Sequence, residues 1–456
     1  MNPFSSLARA LRAFPFGLAA LSILGLSIAS GAYLATHAPT KNKATLTFWV
    51  FAKPHRDAYL KALPAFLAAH PGVSVDIQLV NNSGLAQRLS AAFQADLDVP
   101  DMVEIEISSA GSFFRGPLKH VGFLDITDRL QREGLDKRLV PARFAPYTTR
   151  GRIFGLPHDV HPVMLAYNRE LMEKAGVDVN KIETWDDFIA AGQKVTIPNQ
   201  RYLIEMSGTG SDQIEVCLFQ RGGGYFAPDG KIIFDNEAGV ETMKWYVPLV
   251  AESSKTRIAN NLSSSYGTVI AKGVEDGYFV CLVAPDWRTK GIENDIGRME
   301  GKMALMPLPA VERGGKRTST WGGTMLGITK ASRQPDLAWE LAKHLYLNEK
   351  DLAGRFADTN ILPPVPAAWK EAAFNARRPY WSNQPLGRVY ADLAPQVPFQ
   401  YSSPFVAQAK GKLGEALVDC IKYYNANGET GFDAYVRTRL KVKADEVRRL
   451  IARNPF

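Results

Sequence analysis

The chain has 456 residues, a formal net charge of +8, 46% hydrophobic residues and 22% charged residues. These values are typical of a folded protein with two domains and exclude a largely disordered chain. Basic residues are scattered in short clusters, such as residues 313–317 and 448–449. Such clusters indicate a solvated surface, so no nucleic-acid partner is predicted.

The N-terminal segment predicts where in the cell the protein is located. Arg9 and Arg12 precede an apolar stretch over residues 14–35, and residues 36–38 end in a small-x-Ala cleavage pattern at Ala38. This order is typical of a secretory signal peptide. The stretch also has the length of a membrane-spanning helix, so an uncleaved anchor in the inner membrane remains open. We therefore assign residues 1–40 as signal peptide or anchor and expect the rest of the chain to be periplasmic.

The three cysteines are far apart in the sequence and form no CxxC pair. This spacing argues against a metal knuckle and against a disulfide-stapled scaffold. We predict three isolated buried thiols, while one disulfide in an oxidising compartment remains an alternative. The residues concerned are Cys217, Cys281 and Cys420.

The first elements alternate between strand and helix. Strands are predicted at residues 45–51, 73–80 and 102–107 from their β-branched and aromatic content, and helices at residues 56–69 and 84–95 from apolar periodicity. This order predicts parallel strands with right-handed crossovers, hence a doubly wound α/β sheet. Ligands of such sheets bind beyond the carboxyl ends of the strands.

Residues after 155 also show local signals for strands, helices and turns. Residues 155–168 predict a turn-rich entry into a strand, and Thr184 with Asp187 predicts a capping box at a helix start. Residues 222–230 form a turn cluster that lacks the GxxxxGK[ST] pattern of a phosphate loop. Residues 321–328 predict a bend into a buried strand, and the chain from residue 407 onwards is mainly helical.

Several segments occur in one order along the chain: LTFWVFA, PDMVEIEISSAG, GLPHDVHPVMLAYNRELMEKAGV, TWDDF, VAPDW, GG-x-x-x-x-I and NILPP. In this ordered set the chain resembles the family 1 extracellular solute-binding proteins of ABC importers, the group that includes maltose-binding protein. PHDVHPVMLAYN is most similar to members that bind arabinose or arabino-oligosaccharides.

The resemblance implies a periplasmic-binding-protein fold with two doubly wound lobes joined by hinge segments. Lobe one would comprise residues 45–160 and 325–375, and lobe two residues 161–324 and 376–456. It implies a monomer without cofactor or catalytic residues, which captures a carbohydrate between the lobes and delivers it to the membrane subunits of an ABC permease by lobe closure.

Glu104 and Glu106 are the strongest local signal for a site. They alternate with apolar residues and therefore share one face of a predicted strand. A buried, unpaired carboxylate is costly, so the pair suggests a ligand cleft, with a wet edge strand or an ion pair to Arg or Lys as alternatives. Ser108 follows in the loop where the resembling family places polar ligand contacts. The loop lacks the aromatic and acidic residues of maltose-binding protein, which argues against a maltodextrin.

A second group of candidates lies at the predicted crossing between the lobes. His158, Asp159 and His161 are turn residues there, and His161 matches a sugar-contacting position of the resembling family. The two histidines could suggest a metal site, but an i,i+3 histidine pair on a strand faces opposite sides and no third ligand lies nearby in sequence. We therefore predict ligand or hinge hydrogen bonding and no metal, with a structural histidine as the alternative.

The remaining candidates are mainly aromatic. Trp287 and Arg288 follow VAPD, and the resemblance implies that Trp287 stacks on the sugar ring. Trp321 precedes two glycines where the chain returns between the lobes. Lys53 and His55 follow the first strand at its carboxyl end and are further candidates for ligand contact.

Other functions remain open at this point. Glu104 and Glu106 have the separation of a glycosidase pair, but both would lie on one side of the substrate, so no enzyme activity is predicted. The same fold could hold a polyamine, iron, an amino sugar or a phosphorylated polyol. It could also serve as a membrane-tethered sugar sensor.

Overall fold

The computed structural model describes residues 17–37, 44–95, 99–263 and 265–453. Its internal contacts divide the chain into two units, Met1–Thr45 and Leu46–Phe456. The first unit contains the helix Gly17–His37. Among the described residues, no helix has both the length and the apolar character needed to cross a membrane.

The predicted basic residues and the predicted cleavage site flank this helix in the sequence. Arg9, Arg12 and the cleavage position Ala38 lie outside the described residues. The assignment of residues 1–40 as signal peptide or anchor therefore stays a prediction.

The first sheet of the second unit has the strand order β2-β1-β3-β12-β6. Its strands are β1 (Leu46–Val50), β2 (Val75–Leu79), β3 (Met102–Glu106), β6 (Leu156–Pro157) and β12 (Thr324–Ile328). β1 runs parallel to β2 and β3, which confirms the predicted βαβαβ order. β12 pairs antiparallel with β3 and β6. Because β3 has a neighbour on both sides, the edge-strand explanation of Glu104 and Glu106 is wrong.

The second sheet has the order β11-β7-β10-β8-β9, and β4 and β5 form a separate hairpin. The strands are β4 (Thr148–Thr149), β5 (Arg152–Ile153), β7 (Val163–Asn168), β8 (Tyr202–Glu205), β9 (Ala259–Asn260), β10 (Phe279–Pro285) and β11 (Met303–Pro307). β10 runs parallel to β8 but antiparallel to β7, and β11 is also antiparallel to β7. The antiparallel strands were not predicted.

Helices surround both sheets and dominate the C-terminal part of the chain. Those of the second unit are Lys53–Ala69, Asn82–Gln94, Ile107–Ala110, Thr127–Arg132, Arg169–Lys174, Trp185–Val195, Asp212–Gln220, Glu237–Val250, Gly267–Glu275, Asp286–Asp295, Pro335–Leu347, Glu349–Thr359, Leu386–Leu393, Val406–Asn427 and Phe432–Ala452. Short 3-10 segments connect several of them.

Local sequence signals explain where several helices begin. Thr184 and Asp187 form the predicted capping box, in which each side chain accepts a hydrogen bond from the other residue's backbone N–H. The side chain of Asn81 caps the helix Asn82–Gln94 in the same role of N-cap acceptor. Pro54 lies in the first turn of Lys53–Ala69, where its missing N–H costs nothing.

The strands carry the apolar core. All six residues of β7 and all seven of β10 are buried, because helices cover both faces of the sheet. The three cysteines are buried and free, which confirms the prediction of isolated thiols over a disulfide. The strands of the first sheet come from residues 46–157 and 324–328 and those of the second from residues 163–307. The chain is thus an α/β protein, and the lobe boundaries given above remain predictions.

Candidate functional site

A cavity of about 980 Å³ lies beyond the carboxyl ends of strands from both sheets. Phe51 follows β1, Glu106 ends β3, and Trp287 follows β10. The rule for doubly wound sheets therefore located the cavity correctly. Six of the ten predicted site residues line it, namely His55, Glu106, Ser108, His161, Trp287 and Trp321.

Three aromatic side chains form one wall of the cavity, and we call Tyr266, Trp287 and Trp321 the aromatic wall. The ring centroids of Tyr266 and Trp287 are 6.0 Å apart with an interplanar angle of 33°. Trp287 and Trp321 meet edge to face at 5.6 Å and 78°. The indole N–H of Trp287 donates to the carbonyl oxygen of Trp321 over 2.9 Å, which fixes the ring plane. Such faces suit the C–H surface of a ring-shaped ligand.

Arg288 lies behind this wall and does not line the cavity. Its guanidinium donates to the carbonyl oxygens of Val283 and Ser265, each over 2.6 Å, and only 4% of the residue is exposed. Its central carbon is 5.2 Å from the ring centroid of Tyr266 and 5.7 Å from that of Trp321. Arg288 therefore supports the aromatic wall through cation–π contacts, and its predicted ligand contact has no geometric support.

Glu106 and Ser108 lie where β3 ends. A carboxylate oxygen of Glu106 accepts the backbone N–H of Ser108 over 2.9 Å and also its hydroxyl, so Glu106 caps the short helix Ile107–Ala110. Burial raises the pKa of Glu106, against the effect of the Ser108 hydrogen bonds. The second carboxylate oxygen gives the cavity a hydrogen-bond acceptor near the centre of the first sheet.

A charged group lines the cavity on the side of the helix Asp212–Gln220. Lys410 forms ion pairs with Asp212 at 2.8 Å and with Glu215 at 3.4 Å. The hydroxyl of Tyr225 donates to Glu215 over 2.7 Å. Burial disfavours the ammonium of Lys410, but the carboxylates of Glu215 and Asp212 outweigh it and raise the pKa of Lys410. These groups offer both donors and acceptors to a polar ligand.

His161 lies between two buried carboxylates at the chain crossing. Its Nε2 is 3.0 Å from an oxygen of Asp159, and its Nδ1 is 2.5 Å from an oxygen of Asp286. Burial disfavours the charged ring, but Asp159 and Asp286 outweigh it and raise the pKa of His161 to about 9. The residue has a backbone φ of 56°, which is strained for a side chain of this size.

Asp159, Glu104 and Lys53 lie outside the cavity lining. Asp159 is fully buried and pairs with Arg143 at 3.0 Å. Lys53 is exposed and pairs with Asp57, because the helix begins at Lys53 and turns this side chain to solvent. For these three residues, as for Arg288, ligand contact remains a prediction without support from their positions.

Glu104 is the centre of a buried hydrogen-bond network. One of its oxygens is 3.0 Å from Nδ1 of His55, and the other accepts the hydroxyls of Tyr59 and Tyr346. Burial opposes ionisation of Glu104, but the charge and hydrogen bond of His55 outweigh it and lower the pKa of Glu104 to about 2. Glu104 is therefore paired within the protein, but with a histidine and two tyrosines and not with the predicted arginine or lysine.

Among the described residues, His55, Glu104 and His158 bring three potential metal-ligand atoms within 4.8 Å of one another. Nδ1 of His55 already faces Glu104, and Nη1 of Arg355 lies 3.5 Å from Nε2 of His158. A divalent cation would break the first contact and meet the guanidinium. The cluster is better explained as a hydrogen-bond network.

Sequence reasoning missed several cavity residues. Tyr225 belongs to the glycine-rich turn at residues 222–230, whose sequence carries no motif that indicates a ligand. Tyr266 and Lys410 carried no local signal, because they approach the cavity from segments far apart in sequence. The same holds for residues 395–402, which line the cavity and lie between the helices Leu386–Leu393 and Val406–Asn427.

Two proteins from other bacteria are similar to this chain in sequence over most of its length. The chain is 27% identical over 297 residues to the "Arabinooligosaccharide-binding protein" of Bacillus subtilis (strain 168), covering 65% of this chain and 67% of that protein. A protein with the same name from Halalkalibacterium halodurans is 26% identical over 346 residues, covering 72% of this chain and 73% of the relative.

Solved structures share the fold. The binding protein of an ABC transporter from B. animalis subsp. lactis, solved with β-1,6-galactobiose, superposes with a TM-score of 0.68 at 21% identity, covering 89% of this chain and 98% of the other. The sugar-binding protein MalE of Xanthomonas citri gives a TM-score of 0.70 at 18% identity, covering 89% and 99%.

The family model for the bacterial extracellular solute-binding proteins matches residues 52–351, well over half of the chain. This match covers both sheets except the first strand, and it includes the cavity residues from Ala52 to Thr324. The chain therefore belongs to the bacterial extracellular solute-binding protein family.

Proposed function

We propose that the protein binds a neutral oligosaccharide, of the arabino-oligosaccharide class, in the cavity between its two sheets. The observation that carries the proposal is that the aromatic wall and a set of hydrogen-bonding groups, among them Glu106 and Lys410, line the same cavity. Sugar rings present C–H faces for stacking and hydroxyls that both donate and accept.

Two observations narrow the class of ligand: the size of the cavity and the names of the relatives. A volume of about 980 Å³ lies at the upper end of small-molecule pockets and suits several sugar units better than a single one. Two relatives carry the name arabinooligosaccharide-binding protein. The cationic side chains Lys410 and His161 at the cavity argue against a polyamine, and a phosphorylated polyol would have to lie beside Glu106, Asp212 and Glu215.

The proposed role is delivery of this sugar to an ABC permease. Family membership supports a site of action outside the cytoplasm, and closure of the lobes around the ligand would create the form that the permease recognises. The N-terminal segment would serve as export signal or membrane anchor. No catalysis is proposed, because Glu104 is enclosed in its own network, and Asp212 and Glu215 at the cavity are paired with Lys410.

Titration calorimetry of the full chain with arabinotriose tests this proposal. We expect binding, and we expect Trp287→Ala to weaken it by about 30-fold or more, since a central aromatic anchor contributes at least about 2 kcal/mol. Trp369→Ala is the matched control, because this tryptophan lies outside the cavity and donates its indole N–H to the carbonyl oxygen of Pro363.

Two results would contradict the proposal. One is binding of polyamines or phosphorylated polyols without any binding of neutral sugars. The other is full affinity for arabinotriose in Trp287→Ala, which would separate the ligand from the aromatic wall.

A further inference from the structure

The helix that carries Trp287 begins at a buried carboxylate shared by three chain segments. Asp286 has no exposed surface. One of its oxygens accepts the backbone N–H of Trp287 over 2.7 Å and also faces Nδ1 of His161 at 2.5 Å. The other oxygen accepts the backbone N–H of Leu362 over 2.7 Å. The position of Trp287 is therefore tied to the chain crossing at residue 161 and to the segment after residue 359.

Both ring nitrogens of His161 face carboxylates, and only the protonated ring can donate to both. Its Nε2 partner Asp159 is held by Arg143, which also donates to the carbonyl oxygen of Gly322 over 3.1 Å. Gly322 follows Trp321 of the aromatic wall. The hydrogen-bonding capacity of His161 is thus used within the protein, although the ring lines the cavity.

We propose that His161 and Asp286 form a charged clamp that positions Trp287 for stacking, so that ligand affinity depends on His161 keeping its proton. Both act as positioning residues, because Asp286 holds the backbone of Trp287 and His161 holds Asp286. The inference rests on the proposed function in one respect, since it takes Trp287 as the residue on which the ligand stacks.

Packing around the clamp supports this coupling. A Cβ atom at Gly322 would lie 3.2 Å from Nε1 of Trp287 and 3.5 Å from Cδ2 of His161, so the two side chains pack against the same glycine. The positive φ of His161 shows that the surrounding contacts hold this residue in a costly conformation. A change in the charge of the ring would therefore act directly on the contacts of Trp287.

Several titratable groups surround the clamp. Asp159 and Asp286 face the ring directly. Nδ1 of His158 lies 3.3 Å from the same oxygen of Asp159 that His161 faces, and Arg143 pairs with the other oxygen. Tyr147 interacts electrostatically with Asp159, and Tyr390 with Asp286. Burial raises the pKa of both hydroxyls well above the ordinary value. Burial and the neighbouring His55 lower the pKa of His158 to about 4, whereas the pKa of His161 is raised to about 9.

Nuclear magnetic resonance on the full chain tests the clamp without a ligand. Labelled histidine reports the titration of His161, assigned among the seven histidines by its loss in His161→Asn. Asparagine tolerates positive φ, so this variant preserves the backbone. Fluorinated tryptophan reports the surroundings of Trp287, assigned by Trp287→Phe. We expect one midpoint near pH 9 for both probes in the wild type.

The variants separate positioning from mere folding. In His161→Asn we expect the Trp287 resonance to lose its transition, and in Asp286→Asn we expect the His161 midpoint to fall by about one pH unit or more, because one carboxylate partner is gone. His344→Gln is the matched control, since His344 contacts the carbonyl oxygen of Ala62 away from the cavity, and it should leave both titrations unchanged.

The affinity for arabinotriose supplies the functional readout. Between about pH 8 and about pH 10 we expect it to fall about tenfold in the wild type and to be weak and flat in His161→Asn. A His161 midpoint near the ordinary value of about 6.5, or a Trp287 resonance that ignores the titration of His161, would overturn the clamp. Failure to bind arabinotriose at any pH would refute the proposed ligand, while the resonance midpoints would still decide the clamp.

Discussion

Replacing Glu104 by glutamine removes the charge at the centre of the buried network while preserving side-chain size. The carboxylate accepts hydrogen bonds from His55, Tyr59 and Tyr346 and has no exposed surface. Glutamine offers one carbonyl oxygen in place of two carboxylate oxygens, and its amide group must face either the imidazole or the hydroxyls. At least one strong acceptor contact is therefore lost.

The pKa of Glu104 gives the size of the effect. A fall from 4.5 to about 2 corresponds to about 3 kcal/mol of folding free energy at about 1.4 kcal/mol per pKa unit. Because the folded pKa is the lower one, this stabilisation is fully present above pH 4.5 and is lost as the pH falls towards 2. At about pH 3, about 1 kcal/mol of it should remain.

Urea unfolding at about pH 7 and about pH 3 measures this difference. We expect Glu104→Gln to be less stable than the wild type by about 3 kcal/mol at the higher pH and by about 1 kcal/mol at the lower. Glu252→Gln is the control at an exposed carboxylate and should match the wild type at both. A Glu104→Gln deficit that stays constant with pH would show that the carboxylate is not held ionised by its neighbours.

Two further predictions concern the glycine beside Trp287 and the three buried cysteines. Gly322→Ala should lower stability by about 1–2 kcal/mol in thermal unfolding and weaken arabinotriose binding, because φ is +90° and the new Cβ would press on Trp287. Gly354→Ala, in a helix with open space around it, should have the opposite or no effect on stability, and an equal loss in both variants would refute the argument. Thiol titration of the unfolded chain without reductant should give three thiols and the native chain almost none, because the cysteines are free and burial raises the pKa of each; fewer than three after unfolding would reveal a disulfide.

The sequence was most informative where structure depends on near neighbours. The first three strands, their parallel pairing and the capping box at Thr184 follow from local periodicity and turn chemistry, and all were confirmed. The antiparallel strand β12 was not predicted as a partner of β3, because strand direction there depends on where the chain returns after crossing the second sheet.

Local sequence patterns did not predict which candidate residues reach the cavity and which are buried behind its lining. Glu104 and Glu106 share a strand face, yet Glu106 lies at the strand end beside the cavity whereas Glu104, one pleat earlier, meets side chains from two helices. Trp287 and Arg288 are adjacent, but the helix start at Asp286 directs one to the cavity and the other behind the aromatic wall. Tyr266 and Lys410 reach the cavity only through tertiary packing.

The late position of β12 has a consequence for the order in which the chain acquires structure. During synthesis β3 emerges long before Thr324–Ile328, and until then its outer edge exposes unpaired backbone groups beside Glu104 and Glu106. The first sheet therefore cannot close before most of the second has been made. Until β12 is made, the carboxylates of Glu104 and Glu106 lie on an open strand, where they discourage pairing with other chains.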